Sequence, residues 1–447
     1  MRAGGRKCAA AIGLTILTIA SAGCGNGRAA KSEIVVTPVS GVFDEPVHIV
    51  ISHVSANREL TVKVQSVDAA GASFSAQATF RSNGAGQIDL ASAPASDGGF
   101  YAGVDPMGLI DAMQPASGGA ARYRWNGAQP QRFDVTVSEG TSRVASGGFT
   151  RRGAAPGVAM RAESIAATGF YGQFWVPPPD TPRHPGVLEF GGSEGGLSGR
   201  LIGAALASAG YPTLDIAYFG EPGLPATLTD VPLEYFARAL RWLARRPQVL
   251  KGQMYVLGGS RGSEAALLLG AHYPTLVHGV IANSPSDVSF SSSPHTGSAA
   301  WTLHGRPVPY TRLLLGPTVP AEDPAAAIPV QDIRGPVFLD CGTDDQEWTS
   351  CAYALRIENR LTAARFAYPH VVYRYQGAGH WVNGLVPYEP GGVSLELAEP
   401  INSGDTPLAN ANAHARLWPQ LLAFLAHPES HTGVINAPST PPPLTAR

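Results

Sequence analysis

The chain has 447 residues, of which 44% are hydrophobic and 15% charged, with a formal net charge of −2. A chain this long buries a large core and divides into two or three domains. The near-zero charge excludes a global basic field for nucleic acid or an anionic membrane surface.

In chain order, Arg2, Arg6 and Lys7 form a positive start, and residues 9–20 are a mostly apolar run closed by Ser21-Ala22-Gly23 before Cys24. This reads as a secretory signal over residues 1–23, too short to span a bilayer. Its ending resembles a bacterial lipobox, which makes Cys24 a lipidation candidate. Ser21 stands where that motif usually has Leu, so ordinary cleavage after Ala22 stays open. The expectation is an exported, periplasmic or cell-envelope protein touching the membrane only through a lipid anchor, or else a secreted one. Of the remaining cysteines, Cys8 falls in the signal. Cys341 and Cys351 can pair in an oxidising compartment or stand as two free thiols. No Cys/His spacing suggests a metal site, and no cofactor is expected.

Residues 34–152 alternate in short runs, such as 47–51, 60–64, 74–80, 87–90 and 133–137, between turn-rich stretches. That spacing predicts an antiparallel sandwich, with one helical turn near Gly108-Leu109-Ile110. A charge-poor stretch, Ala154-Ala155-Pro156-Gly157, marks a boundary. From residue 160 to 430 the pattern becomes α/β. Strands are predicted at 170–176, 187–190, 213–218, 254–257, 279–282, 337–340 and 371–375. Helices are predicted at 201–209, 233–244, 263–269 and 417–425. The alternation implies a doubly wound, mostly parallel sheet covered on both faces. The tail 437–447 reads as disordered.

Gly258-Gly259-Ser260-Arg261-Gly262 is a G-x-S-x-G between a predicted strand and a predicted helix, the context of the nucleophile elbow of an α/β-hydrolase. The turn lifts the Ser260 hydroxyl clear of the sheet, and the Arg261 N–H becomes an oxyanion donor. Serine needs a base and an orienting acid, in the order Ser, Asp, His. Gly342-Thr343-Asp344-Asp345 follows the strand at 337–340, and Gly377-Ala378-Gly379-His380 follows the strand at 371–375. His380 is the base. Asp345 is preferred as acid, with Asp344 the fallback. The second oxyanion donor is expected from Gly191-Gly192-Ser193-Glu194, at Gly192 or Ser193.

The chain resembles the acyl-CoA thioesterase / bile acid-CoA:amino acid N-acyltransferase family over nearly its whole mature length. The resemblance lies in Phe43-Asp44-Glu45-Pro46-Val47, in Tyr101-Ala102-Gly103-Val104-Asp105-Pro106-Met107-Gly108-Leu109, and in Phe190-Gly191-Gly192-Ser193-Glu194-Gly195-Gly196-Leu197. It continues in Ala217-Tyr218-Phe219, Leu233-Glu234-Tyr235-Phe236, and residues 342–348 and 409–425. The family implies an immunoglobulin-like sandwich packed before an α/β-hydrolase, and its nucleophile, acid and base fall on Ser260, Asp345 and His380. Its transferases for bile acids carry Cys at the nucleophile, so Ser260 favours hydrolysis. Arg261 stands where many relatives have Lys. The expected substrate is an acyl thioester, as in acyl-CoA hydrolysis, or a related ester. An exported acyltransferase using an amine or alcohol acceptor is the first alternative, and a non-catalytic envelope binding protein the second. The family acts on intracellular CoA thioesters, so an export signal separates family from substrate.

Overall fold

The computed structural model describes residues 31–97, 101–198, 201–294, 297–318, 322–392, 407–438 and 440–444. The signal segment 1–23 and Cys24 lie outside them. The elements described below belong to one compact unit, Ser32–Arg447.

The first part is built from β-strands whose side chains alternate in and out. In Glu59–Val67, for example, Leu60, Val62, Val64 and Ser66 are buried while the residues between them are more exposed. One sheet has the order Glu33–Thr37, His48–Ser52, Ile88–Asp89. The other runs Ser40–Val42, Ser142–Arg152, Gln131–Glu139, Glu59–Val67, Ser73–Arg81, Ala95–Asp97, with Gln114–Pro115 paired to Ser73–Arg81. Ile49 and Ile51 of the first sheet share a core with Val62, Val64, Phe80, Phe133 and Phe149 of the second. Each such side chain contributes about 1.5–3 kcal/mol by leaving water. The strand Ser142–Arg152 is not evident from the sequence, because Gly147, Gly148 and a bulge between Arg143 and Ala145 interrupt its alternation.

The second part is a nine-stranded sheet in the order Ala159–Glu163, Tyr171–Val176, Thr213–Ala217, His184–Phe190, Val249–Gly259, Gly279–Asn283, Val337–Gly342, His370–Tyr375, Gly433–Ala437. The first two strands are antiparallel, and every pairing from Thr213–Ala217 onward is parallel. Central strands are buried along their whole length, which is why they read as continuous apolar runs. The doubly wound α/β-hydrolase expectation is therefore borne out. Helices differ from expectation in places. The last one extends over Pro407–Ala426 rather than starting at 417. Ser350–Ala363 is not evident from the sequence; it is half polar and buries Tyr353, Ala354, Ile357 and Leu361 on one face.

Ala437, read as the start of a disordered tail, instead closes the edge strand that pairs with His370–Tyr375. Beyond it, the Arg416 guanidinium donates to the carbonyls of Thr440 and Pro441. The sandwich and the hydrolase part are joined by packing. Phe43 lies in a core with Trp418 and Leu421, and the Trp418 indole donates to Asp44 Oδ2 at 2.9 Å.

Candidate active site

Val249–Gly259 runs directly into the helix Arg261–His272, and Ser260 forms the turn between them with φ 55° and ψ −125°. A non-glycine residue in that region costs on the order of 1–3 kcal/mol and persists only when its surroundings fix it. Here the Ser260 N–H donates to the Asn283 carbonyl at 3.0 Å, and the Ser260 carbonyl accepts from Ser263 N–H at 2.9 Å. The flanking glycines have a steric cause. A Cβ at Gly258 would lie 2.2 Å from the Gly262 carbonyl oxygen, and one at Gly262 would lie 2.3 Å from that of Gly191.

His380 follows the strand His370–Tyr375 and opens a short 3-10 turn, His380–Gly384. Its Nε2 is 2.9 Å from Ser260 Oγ, and its Nδ1 is 2.9 Å from Asp345 Oδ2. All three residues are buried. The Asp345 carboxylate also accepts the N–H groups of Glu347 and Trp348 at Oδ1, at 3.0 and 3.1 Å, and the Ser350 hydroxyl at Oδ2, at 2.5 Å. Such bonds fix the direction of the carboxylate. Asp344 is used differently: its N–H donates to Ala378 and its Oδ1 accepts from Thr343. The structure thus brings Asp345, and not Asp344, to the imidazole.

Trp348 packs edge-on against the His380 ring, with centroids 5.3 Å apart, while its indole donates to the Ser284 carbonyl. The Ser284 hydroxyl donates in turn to the His380 carbonyl at 2.9 Å. A disulfide between Cys341 and Cys351 closes the loop that carries Asp345, Glu347, Trp348 and Ser350.

The oxyanion candidates are placed unequally. The Arg261 N–H lies at the first position of its helix, where no intrahelical acceptor exists and the dipole favours negative charge. Gly192 lies against Ser260, but its N–H donates to Glu194 Oε2 at 2.8 Å. Ser193 is exposed beside it. The loop carbonyls of Gly191 and Gly192 both accept the Tyr218 hydroxyl, at 3.0 and 2.5 Å. Burial pushes the Tyr218 phenol well above its ordinary value, and the Glu194 charge adds to this, so it stays a donor.

The Arg261 side chain turns to a buried partner. Its Nε is 2.6 Å from Glu264 Oε1, and its Nη2 donates to the carbonyls of Ser291 and Phe290. Glu264 also accepts the Trp301 indole and the Phe290 N–H. Burial raises the Glu264 carboxyl and the Arg261 charge lowers it. Ser350 and Glu264 carry no sequence signal, since each acts through folding rather than local spacing. Tyr218, Glu347 and Trp348 are within reach only as parts of the 217–219 and 342–348 resemblances. Among the described residues, no group of three or more His, Cys, Asp or Glu could hold a metal ion, and no helix is long and apolar enough to cross a membrane.

Two family models match the chain. Residues 44–163 match the acyl-CoA thioester hydrolase/BAAT N-terminal region, and residues 231–428 match the BAAT / acyl-CoA thioester hydrolase C-terminal region. Acyl-coenzyme A thioesterase 1 of Homo sapiens is 28% identical over 414 residues, covering 88% of this chain and 96% of that protein. Acyl-coenzyme A thioesterase 6 of Mus musculus is 29% identical over 401 residues, covering 86% of this chain and 93% of that protein. The mitochondrial acyl-coenzyme A thioesterase 2 of Homo sapiens is 28% identical over 411 residues, covering 88% of this chain and 83% of that protein. Ser260, Asp345 and His380 all fall inside the C-terminal match, whereas Gly192 and Ser193 lie between the two matched regions.

Proposed function

The chain belongs to the acyl-CoA thioester hydrolase/BAAT family, and from that membership we infer an enzyme that hydrolyses acyl thioesters, with Ser260 as nucleophile, His380 as base and Asp345 as orienting acid. The observation that carries this assignment is the imidazole held at 2.9 Å from both Ser260 Oγ and Asp345 Oδ2.

In this reading Ser260 Oγ attacks the thioester carbonyl while its proton passes to His380 Nε2. Asp345 holds the ring by Nδ1 and stabilises the imidazolium. The oxyanion accepts the N–H of Arg261 and the N–H of Ser193. Gly192 is the weaker choice for that second donor, because its N–H is engaged by Glu194. Each such donor contributes about 10²–10³ in kcat. Collapse expels the thiolate, which takes the proton from His380 Nε2 and leaves the imidazole neutral. Water then attacks the acyl-serine with His380 again as base, releasing the carboxylic acid. The intact hydrogen-bonded trio speaks against a purely binding role, and a serine nucleophile favours water over an amine or alcohol acceptor.

We also propose that the chain is exported and lipidated at Cys24, on the strength of the charged, apolar and small-residue start of the sequence. Metabolic palmitate labelling that survives Cys24→Ala would overturn the lipid anchor. The catalytic reading is tested with a fluorophosphonate probe and a panel of acyl-CoA, CoA-free thioesters and oxygen esters, with and without added amines. Ser260-dependent labelling and free acid as the main product are expected. Acyl amide as the main product would reassign the enzyme as a transferase, and no labelling would remove the nucleophile.

A further inference from the structure

The acid loop brings a second carboxylate to the triad. Glu347 divides its work between backbone and side chain. Its N–H is one of the donors to Asp345 Oδ1, and its carbonyl accepts the Gly316 N–H at 2.8 Å. The side chain serves neither contact: Glu347 Oε2 lies 3.5 Å from His380 Nε2. That is the nitrogen facing Ser260 Oγ, and so the one that must hand a proton to whatever departs from the acyl carbon. The Glu347 side chain is 19% exposed, against 4% for the imidazole, so it stands at the solvent side of the dyad.

The neighbouring walls supply more negative charge. Glu194 sits on the loop whose Gly192 lies against Ser260, its carboxylate accepting the Gly192 N–H. Glu221 approaches the same loop, within 3.1 Å of where a Cβ at Gly196 would be. The cation next to the nucleophile does not offset this at the surface, because the Arg261 guanidinium is buried against Glu264 and two carbonyls. A leaving group that carries its own positive charge close to the reacting sulfur or oxygen therefore meets a fixed complementary charge. A neutral leaving group does not.

We propose that Glu347 is a specificity residue favouring acyl thioesters and esters whose leaving group bears an ammonium within a few bonds of the scissile atom. The proposal rests on thioester hydrolysis by Ser260, His380 and Asp345. Charges at several ångströms in a partly wet site interact modestly, which corresponds to about five- to tenfold in kcat/KM. The phosphates of CoA lie farther from the sulfur than a Debye length of about 8 Å allows them to be felt strongly. They are thus a built-in control for charge remote from the reacting atom.

The test compares S-octanoylthiocholine, S-octanoyl-N-acetylcysteamine and octanoyl-CoA, which share an acyl chain and differ in leaving-group charge. Each is assayed with the wild type, Glu347→Gln and Glu347→Lys. The wild type should prefer the thiocholine ester over the neutral thioester by about five- to tenfold. Glu347→Gln should bring that ratio to about one and Glu347→Lys should invert it, while the CoA-to-neutral ratio moves by about twofold or less. The wild-type preference should also fade in high salt, a readout that does not depend on any variant folding. A thiocholine-to-neutral ratio unchanged by both substitutions, or unmoved by salt, overturns the proposal and leaves thioester hydrolysis standing. Hydrolysis of none of the three, or equal hydrolysis by Ser260→Ala, overturns the thioester reading itself and this inference with it.

Discussion

Ser350 donates its hydroxyl to the same oxygen of Asp345 that faces the imidazole, so one carboxylate oxygen is held by Ser350 and His380 at once. The other oxygen is held by two backbone N–H groups. The acid is thus oriented by its own loop before it meets the histidine, and the neighbouring carboxylate is spent on Thr343 instead.

The two adjacent aspartates should therefore behave differently. Asp345→Asn presents an amide where Nδ1–H needs an acceptor and should lower kcat by about 10⁴. Asp344→Asn should stay within about threefold of wild type, since it removes one exposed hydrogen bond. Steady-state kinetics on one thioester checks both, and equal losses would contradict the assignment of the acid.

The disulfide encloses the acid loop, so it should matter to both stability and turnover. Closing a loop of this size contributes about 2–3 kcal/mol in the chain-entropy account. The Cys341→Ser/Cys351→Ser variant should unfold at correspondingly lower denaturant. It should also lose kcat more than it changes KM, because Asp345 is placed less tightly. A variant with unchanged kcat would show that the loop's hydrogen bonds hold the acid without the bridge.

Arg261 and Glu264 are almost fully buried, with side chains 2% and 0% exposed. Removing one partner leaves a buried charge and should cost about 3–5 kcal/mol. Arg261→Met should show this loss in urea melts, and Arg261→Met/Glu264→Leu should recover part of it. If the double variant were as damaged as the sum of the single ones, the pair would not be the cause.

Asp340 gives a pH signature. It is fully buried, neither carboxyl oxygen has a hydrogen-bond partner among the described residues, and burial pushes its pKa well above the usual carboxylate range. Folding therefore holds a proton that the unfolded chain releases near pH 4. The stability tied to that proton is fully present below about pH 4 and is lost as pH rises toward the folded value, with a slope of up to about 1.4 kcal/mol per pH unit. Asp340→Asn should abolish this component, so its stability relative to wild type should grow with pH. A difference that stays constant from pH 4 to 8 would contradict it.

Much of the catalytic half was legible in the sequence because buried parallel strands read as short apolar runs and each residue of the proposed triad stands just past one. Ser260 has its elbow and His380 its Gly-rich turn. The supporting contacts were not legible. Tyr218 reaches the Gly191-Gly192 loop from another strand, Glu347 meets His380 across 33 positions of chain, and Asp44 pairs with Trp418 across 374. Such contacts depend on topology, and local pattern carries no trace of them. The strand Ser142–Arg152 and the helix Ser350–Ala363 escaped for a different reason. Glycines, a bulge and a half-polar surface dilute their periodicity, and only partners in the fold stabilise them.

Ser260 is proposed as the acyl-accepting nucleophile. Its direct test is the turnover of one acyl thioester by the wild type and by Ser260→Ala, with equal folding verified by denaturant melts. A fall in kcat of several powers of ten, with loss of fluorophosphonate labelling, is the predicted result. Ser260→Ala enzyme that still turns over the thioester at the wild-type rate would contradict it.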